Sequence, residues 1–426
     1  MRKCKIGIIG LGYVGLPLAH LLSTRYAVIG YDLSKERINQ LNLATDHTLE
    51  LSKEQLESVL KLKDSVENGL FITNDAHELK SCTIYIVTVP TPVTVDHKPD
   101  LSSLRMACIS LSEFLNKGDT VIFESTVYPG VTEDYCVPLI EKHSGLIFNK
   151  DFFVGYSPER VNPGDKKHTI EKILKVTSGS TPEAAINIDE LYASVISAGT
   201  YMAPSIKVAE AAKVIENSQR DINIAFINEL SKIFNLLGID TKEVLKAAAT
   251  KWNFLPFTPG LVGGHCIGID PYYLAEVAQQ NHYNPEIILA GRRMNDSMGH
   301  YVAAEVIKLL TKNSILPNTC DILVLGITFK ENCPDARNSK AVDVVRQLES
   351  YGTNVTVVDP WANPEDVLRE HGILTLKDIP HKKFNAIVLT VSHEQFLVQD
   401  IPSFLTVNGI IYDVKGALPF PVDGKL

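Results

Sequence analysis

The strand-like run KIGIIG (5–10) leads directly into GLGYVG, which sets Gly10, Gly12 and Gly15 in G-x-G-x-x-G spacing, and a helical pattern follows over 14–23. The next apolar run, AVIGYD, ends in Asp32. A glycine triplet alone is weak. One that leaves a strand, opens a helix and is followed by an acid at the end of the next strand is a dinucleotide fingerprint. Glycines let a pyrophosphate reach the helix N-terminus, where free N–H groups and the helix dipole favour an anion. A carboxylate at Asp32 would bond the adenine ribose hydroxyls and repel a 2′-phosphate, so NAD is expected rather than NADP. A chain with this opening is expected to be an α/β protein.

With 426 residues, two or three domains are expected. The net charge of −9 with no basic block argues against a nucleic-acid partner. No run reaches the length of a membrane span, and the N-terminus does not read as a signal peptide. Seven cysteines without a CxxC pair argue against a disulfide framework or a zinc site, so no metal is expected, and the cytoplasm is the expected compartment.

Residues 34–66 read as polar and helical. Strands TIYIVTV (83–89) and TVIFEST (120–126) end in Pro90-Thr91-Pro92 and Glu124-Ser125-Thr126, at the edge of a parallel sheet where ligands bind. Strand DFFVGY (151–156) runs into Ser157-Pro158-Glu159-Arg160. That carboxylate and guanidinium read as a surface ion pair or as a general base and a substrate anchor. A strand near 195–198 closes a first domain at 1–200. Residues 204–238 form one long helical pattern, apolar nearly all round and so expected to be buried. On it Lys213 and Asn217 share a face, with Arg220 a turn further. A second helical region spans 282–312 and carries Arg292 and Arg293, closing a central domain at 201–312.

Between the helical regions lies WNFLPFTPGLVGGHCIGIDPYY (252–273), too rich in Gly and Pro for a regular element. Cys266 follows the paired Gly263 and Gly264 and precedes Asp270. On those residues alone a buried structural cysteine and a nucleophilic thiol are equal readings. From 321 the opening pattern returns: DILVLG, a helix, and NVTVVD ending in Asp359, with AIVLTV and GIIYDV after it. Residues 313–426 are therefore expected to form a second doubly wound domain. Its glycine fingerprint is lost, and Lys330 and Arg337 stand in a position to suit a diphosphate. The fold expected is α/β, two Rossmann-like doubly wound domains joined by a long central helix.

The segments GLGYVGLP, VPTP, EST, SPER, KVAEAAKVIEN, GGHCIGID and GITFKENCPDAR occur in an order that resembles the UDP-glucose/GDP-mannose dehydrogenase family over the whole chain. The similarity is strongest to the members that oxidise UDP-N-acetylhexosamines for surface polysaccharides. The resemblance implies a four-electron, NAD-dependent oxidation of a C6 alcohol to a carboxylate. It assigns Cys266 as the nucleophile that holds the aldehyde and then a thioester, and Glu159 as the base for water. Lys213 and Asn217 become the oxyanion stabilisers, with Asp270 and Thr126 placing the water.

On the same resemblance Gly10, Gly12, Tyr13, Val14 and Gly15 hold the cofactor with Asp32 and Arg37. Thr88, Pro90, Thr91, Ser125, Thr126 and Arg337 are added to that site. Glu159, Arg160 and Val161 are implied at the sugar, together with Lys213, Asn217 and Arg220. Phe254, Phe257, Gly260 and Gly263 are implied around the substrate, with Phe329 and Lys330 at the nucleotide. Family members pair through the central helix, so a homodimer is expected in which Arg293, less surely Arg292, reaches the partner's substrate. UDP-glucose members carry an apolar residue where Arg160 stands. That departure favours an N-acetylhexosamine, with UDP-N-acetylglucosamine preferred. UDP-N-acetylgalactosamine, UDP-glucose and GDP-mannose are the alternatives. A two-electron hydroxy-acid dehydrogenase or a non-catalytic nucleotide-sugar binder would have no use for the cysteine loop beside Lys213 and Glu159.

Overall fold

The computed structural model describes residues 5–61, 68–94, 96, 98–161, 167–264 and 267–426, so Cys266 lies outside the described residues. The chain divides into two compact units. The first is Met1–Glu216 with Tyr272–His282, and the second is Asn217–Pro271 with Tyr283–Leu426.

In the first unit, β1 (Lys5–Ile9), β2 (Ala27–Tyr31), β3 (Gly69–Thr73), β4 (Ile84–Val87), β5 (Asp119–Phe123) and β6 (Phe152–Tyr156) form one sheet. All neighbours are parallel, in the order β3-β2-β1-β4-β5-β6. A parallel sheet needs crossovers that cover its faces. They include α1 (Gly15–Ser23), α2 (Lys35–Asn42), α3 (Lys53–Val59), α4 (Ser102–Ser112), α5 (Val137–Ser144) and α6 (Pro182–Ala193). Strand order reverses between β1 and β4, which makes the carboxyl ends of those strands the binding crevice. A small parallel pair, β7 (Lys175–Thr177) and β8 (Thr200–Met202), lies beside β6. Ser157 Oγ donates to Val176 O at 2.8 Å and Tyr156 N donates to Ser178 Oγ. The strand expected near 195–198 is thus found a few residues later. The helix expected over 34–66 is two helices, because Asp46 takes the amides of Thr48, Glu50 and Leu51 and folds the chain back between them.

Three helices occupy the middle of the chain: α7 (Ile206–Leu237), α8 (Thr241–Ala248) and α9 (Asp270–Gln280). The expectation that α7 is buried all round fails. Ile206, Val214 and Ile227 are buried, but Ile215 and Phe226 are more than half exposed, and Val208 and Ile233 nearly so. The polar Glu210, Lys213, Asn217, Ser218, Asp221, Asn228 and Ser231 are buried as well. The helix turns hydrogen-bonding side chains inward and leaves an apolar stripe at roughly heptad spacing outside.

In the second unit the helical stretch expected over 282–312 breaks at Ser297 into α10 (Glu286–Asp296) and α11 (Met298–Lys312). The sheet comprises β9 (Asp321–Leu325), β10 (Asn354–Val358), β11 (Thr375–Leu376), β12 (Phe384–Leu389), β13 (Leu405–Asp413) and β14 (Gly424–Lys425). Its order, β11-β10-β9-β12-β13-β14, reproduces that of the first sheet strand for strand, again all parallel. Against it pack α11 and α12 (Lys340–Ser350), through Val302, Val306, Leu310, Val345 and Leu348. Among the described residues no helix is long and apolar enough to cross a membrane.

Beyond β10, Asp359 is fully buried. Its Oδ2 accepts the amides of Ile327 (2.7 Å) and Thr328 (3.1 Å), and its Oδ1 those of Trp361 and Ala362. His393 Nε2 lies 3.1 Å away. Burial pushes this carboxyl up, but the hydrogen bond from His393 and the amides outweigh it and hold its pKa at about 2. A carboxyl depressed in the folded state stabilises above its unfolded pKa, and that contribution is lost as pH falls toward the folded value. Asp359→Asn is therefore expected to lower stability by roughly 2 kcal/mol near neutral pH. Thermal midpoints of the full chain should differ most above pH 4, and the gap should close as pH falls toward about 2.

Candidate active site

The turn after β1 is built around two of its glycines. Gly10 has φ +99°, open to glycine at little strain. A Cβ on Gly15 would lie 1.9 Å from Gly10 O and 2.4 Å from Thr88 Oγ1, so α1 can approach the strand this closely only without one. A Cβ on Gly12 would meet no protein atom within 4 Å, so Gly12 leaves the approach to the turn open. Thr88, just past β4, ties the turn down through Oγ1 donating to Gly10 O at 2.8 Å. Asp32 accepts Leu11 N on one oxygen and Ser34 N on the other, each at 2.9 Å, which holds its carboxylate at the strand end. Tyr13 and Val14 flank the turn, half-buried. This cradle fits a dinucleotide: a glycine turn opening a helix, an open face at Gly12, and a fixed acid at the end of β2. Arg37 sits beneath it, buried. Its Nε donates to Leu11 O and its Nη1 pairs with Asp46 at 2.8 Å, so it braces the turn from behind.

The strand ends beside the cradle are tied to one another. Thr91 Oγ1 donates to Thr126 O at 2.6 Å, Ser125 Oγ donates to Val89 O, and Tyr273 on α9 donates to Thr91 O. Pro90 is exposed between them.

Past β6, Glu159 turns its carboxylate back on its own loop. Oε1 accepts the amides of Arg160 (2.7 Å) and Val161 (2.8 Å). Oε2 accepts Lys175 Nζ at 3.2 Å. Lys175, almost fully buried, also donates to Glu124 Oε2 at 2.9 Å and lies over the Tyr192 ring. Tyr192 in turn donates to the other oxygen of Glu124. Burial pushes Glu124 up, against the pull of Lys175. Burial draws Lys175 down, but the two carboxylates outweigh it and hold the ammonium charged. Sequence reasoning missed Lys175 and Tyr192 and took Glu124 only as a strand end. The available signal was a lysine opening the strand KVT and an acid closing the apolar strand VIF. Which partner each meets depends on long-range pairing that spacing does not reveal.

Arg160, expected at the sugar, gives its guanidinium to Glu216 in a two-pronged contact (2.6 and 3.2 Å) and to Leu174 O. Lys213 is buried on α7 within the same unit.

In the second unit Asn217 Nδ2 donates to Asp270 Oδ2 at 2.6 Å, with both residues buried. The carboxylate fixes which way the amide faces and leaves its second N–H free to donate. Arg220 reaches Asn217 Oδ1 at 3.4 Å. Asn228 clamps Gly260 through N–H and C=O together (2.8 and 3.0 Å). Phe254 and Phe257 are half-buried on the stretch before it. A Cβ on Gly263 would lie 2.4 Å from Asn338 O, and one on Gly264, with φ +83°, 2.7 Å from the Phe329 ring. The paired glycines thus close the loop onto the segment that follows β9. There Phe329, Lys330, Lys340, Thr390 and Lys415 line a cleft at the N-terminus of α12. Arg337, assigned to the cofactor, makes a fork with Asp335 (2.7 and 2.9 Å) in this unit. Arg292 is buried against Asp221 and Asp296, whereas Arg293 is exposed.

A glycine cradle in one unit and a lysine-lined strand-end cleft in the other describe an NAD-dependent oxidoreductase acting on a nucleotide-linked substrate. Residues 4–196 match the NAD binding domain of the UDP-glucose/GDP-mannose dehydrogenase family, 207–297 its central domain and 323–419 its UDP binding domain, and the chain belongs to that family. It is 52% identical over 420 residues to the UDP-N-acetyl-D-glucosamine 6-dehydrogenase of Salmonella typhi, covering 98% of this chain and 97% of that one. The Pseudomonas aeruginosa protein of the same name is also 52% identical, with 97% of each chain covered. The solved UDP-D-ManNAc dehydrogenase of Pyrococcus horikoshii superposes with a TM-score of 0.88 at 30% identity, over 99% of this chain and 98% of that one.

Two glycine variants separate the cradle's packing from its binding. Gly15→Ala is expected to lower the thermal midpoint, since forcing an atom into a packed turn costs about 1–3 kcal/mol. Gly12→Ala should leave the midpoint unchanged yet weaken NADH binding about tenfold, measured by fluorescence titration.

Proposed function

We propose that this enzyme is a UDP-N-acetyl-D-hexosamine 6-dehydrogenase, with UDP-N-acetylglucosamine the favoured substrate, acting in the cytoplasm in surface-polysaccharide synthesis. Near-complete coverage at 52% identity by two relatives of that activity carries the reading. NAD, held at the glycine turn (10–15) beside Asp32, would supply the hydride acceptor for each of two oxidations at C6. Cys266, as thiolate, bonds to the carbon of the intermediate aldehyde, and after the second oxidation that carbon is a thioester. Lys213 and the free N–H of Asn217 stabilise the oxygen on which negative charge develops. Glu159 accepts a proton from water as the water oxygen bonds to the thioester carbon; the C–S bond breaks and the thiolate returns. Asp270 holds Asn217 in register, and Thr126 helps place the water. One alcohol, two NAD⁺ and one water thus give one carboxylate, two NADH and three protons.

The substrate preference rests on the relatives more than on Arg160, whose guanidinium is taken up by Glu216 and Leu174. Arg160 and Val161 act on the sugar by shaping the loop whose amides hold Glu159. The deciding experiment is NADH production from purified enzyme with UDP-GlcNAc, UDP-GalNAc, UDP-glucose and GDP-mannose. UDP-GlcNAc is expected to give the highest kcat/KM, and a preference for UDP-glucose would overturn the assignment. On the best substrate Cys266→Ser is expected to stall after at most about one NADH per site.

We also propose a homodimer through α7. A helix with its polar residues inside and Val208, Ile215, Phe226 and Ile233 outside fits a second copy better than water. Arg293, exposed on α10, then serves the partner's substrate, while Arg292 stays in its own chain with Asp221. Mixing inactive Arg293→Ala with inactive Cys266→Ala subunits should restore part of the activity. No recovery after demonstrated subunit exchange would remove Arg293 from a role in trans.

A further inference from the structure

Among the described residues Glu159 is held by three donors: two backbone amides on Oε1 and the Lys175 ammonium on Oε2. The ammonium is shared. It sits 3.2 Å from Glu159 and 2.9 Å from Glu124, buried, with the Tyr192 ring beneath it. Glu124 is as buried as Lys175, and Tyr192 closes off its other oxygen, so one positive charge serves two carboxylates. Among the described residues beside it, Arg160 faces Glu216, and Asp189, on the helix that carries Tyr192, accepts from Thr177. We propose that Lys175 and Glu124 are positioning residues for thioester hydrolysis: Lys175 aims Glu159 at the water, and Glu124 shares the charge of Lys175 that would otherwise fall on Glu159 alone. The inference rests on the reading of Glu159 as the base.

The physical logic is a balance of charge. With an undivided ammonium beside it, a carboxylate is strongly stabilised as the anion and becomes a poor base. With Glu124 also drawing on that ammonium, the buried group carries a surplus negative charge, which is relieved when Glu159 accepts a proton. Water's O–H breaks as its oxygen bonds the thioester carbon, the proton rests on Glu159, and the network then has one anion and one cation. Neither Glu124 nor Lys175 gains or loses a proton in the step.

The two partners therefore act in opposite senses, which a purely structural role would not produce. In Glu124→Gln the charge of Lys175 falls on Glu159 alone, so the acid limb of the kcat–pH profile should move down by about one unit while the plateau drops about tenfold. In Lys175→Met Glu159 loses its cation and faces Glu124, so the limb should move up by about one unit. Lys175→Arg should largely restore the wild-type limb. Because Lys175→Met leaves Glu124 buried without a counter-charge, the double variant Glu124→Gln/Lys175→Met, which removes both charges together, is the arm designed to preserve folding. Its limb should fall between those of the two single variants. In all of them the pre-steady-state burst should stay at about two NADH per site, since only hydrolysis is slowed.

Limbs that stay at the wild-type pH, or move the same way in Glu124→Gln and Lys175→Met, would overturn the proposal, as would loss of the burst in Glu124→Gln. Glu159→Gln separates the two levels of inference. If it sustains wild-type uronate formation, the base assignment fails. If it stalls after the burst while the limbs of the other variants do not shift, the base assignment stands and the role of Lys175 and Glu124 fails.

Discussion

At the carboxyl edge of a parallel sheet the strands stop, but their loops still carry amides and carbonyls that need partners. This chain solves the problem twice with the same side chains. In the first sheet Asp32 takes Leu11 N and Thr88 donates to Gly10 O; in the second Asp359 takes Ile327 N and Thr390 donates to Gly326 O. Gly10 and Gly326 both have φ near +100°.

The copies then diverge at one point. Asp32 bonds two amides and stands at the mouth of a glycine turn that leaves Gly12 open. Asp359 is saturated by four amides and His393, and no acceptor capacity is left for a ribose. The second sheet keeps the strand order and the tied turn of the first, with its acid already satisfied from within. Its lysines stand instead around the N-terminus of α12, where Lys340 pairs with Asp296 and Asp343 and Lys415 with Glu331.

Much of this was legible in the chain because parallel strands are continuous apolar runs and because glycine spacing is a backbone requirement. Both sheets, the acids that end their second strands and the glycine cradle could be read directly. The pairings of charges across the fold could not. Arg37 reads as a cofactor ligand but braces the turn from behind through Asp46; Arg160 reads as a sugar contact but meets Glu216. Lys175 gave no sign of standing between Glu124 and Glu159, since its partners come from the ends of two other strands, 51 and 16 residues away in sequence. The long helix was misjudged for a related reason. Apolar content says that a surface will be covered, not by what, and on α7 the inward face is polar because it must clamp loops such as that at Gly260.

The paired glycines at 263 and 264 carry one more implication. They are packed without clearance against Asn338 and Phe329, on the segment whose next residue, Lys330, lines the strand-end cleft. Loop and cleft are therefore one mechanical part. On the proposed reading, a nucleotide settled against Phe329 and Lys330 would also restrain Gly263 and Gly264, so the inert end of the substrate would help prepare the reactive end. Binding energy gathered at the nucleotide would then be realised as rate at the sugar. The bare sugar, which cannot brace the loop, would meet a slower enzyme as well as a weaker grip.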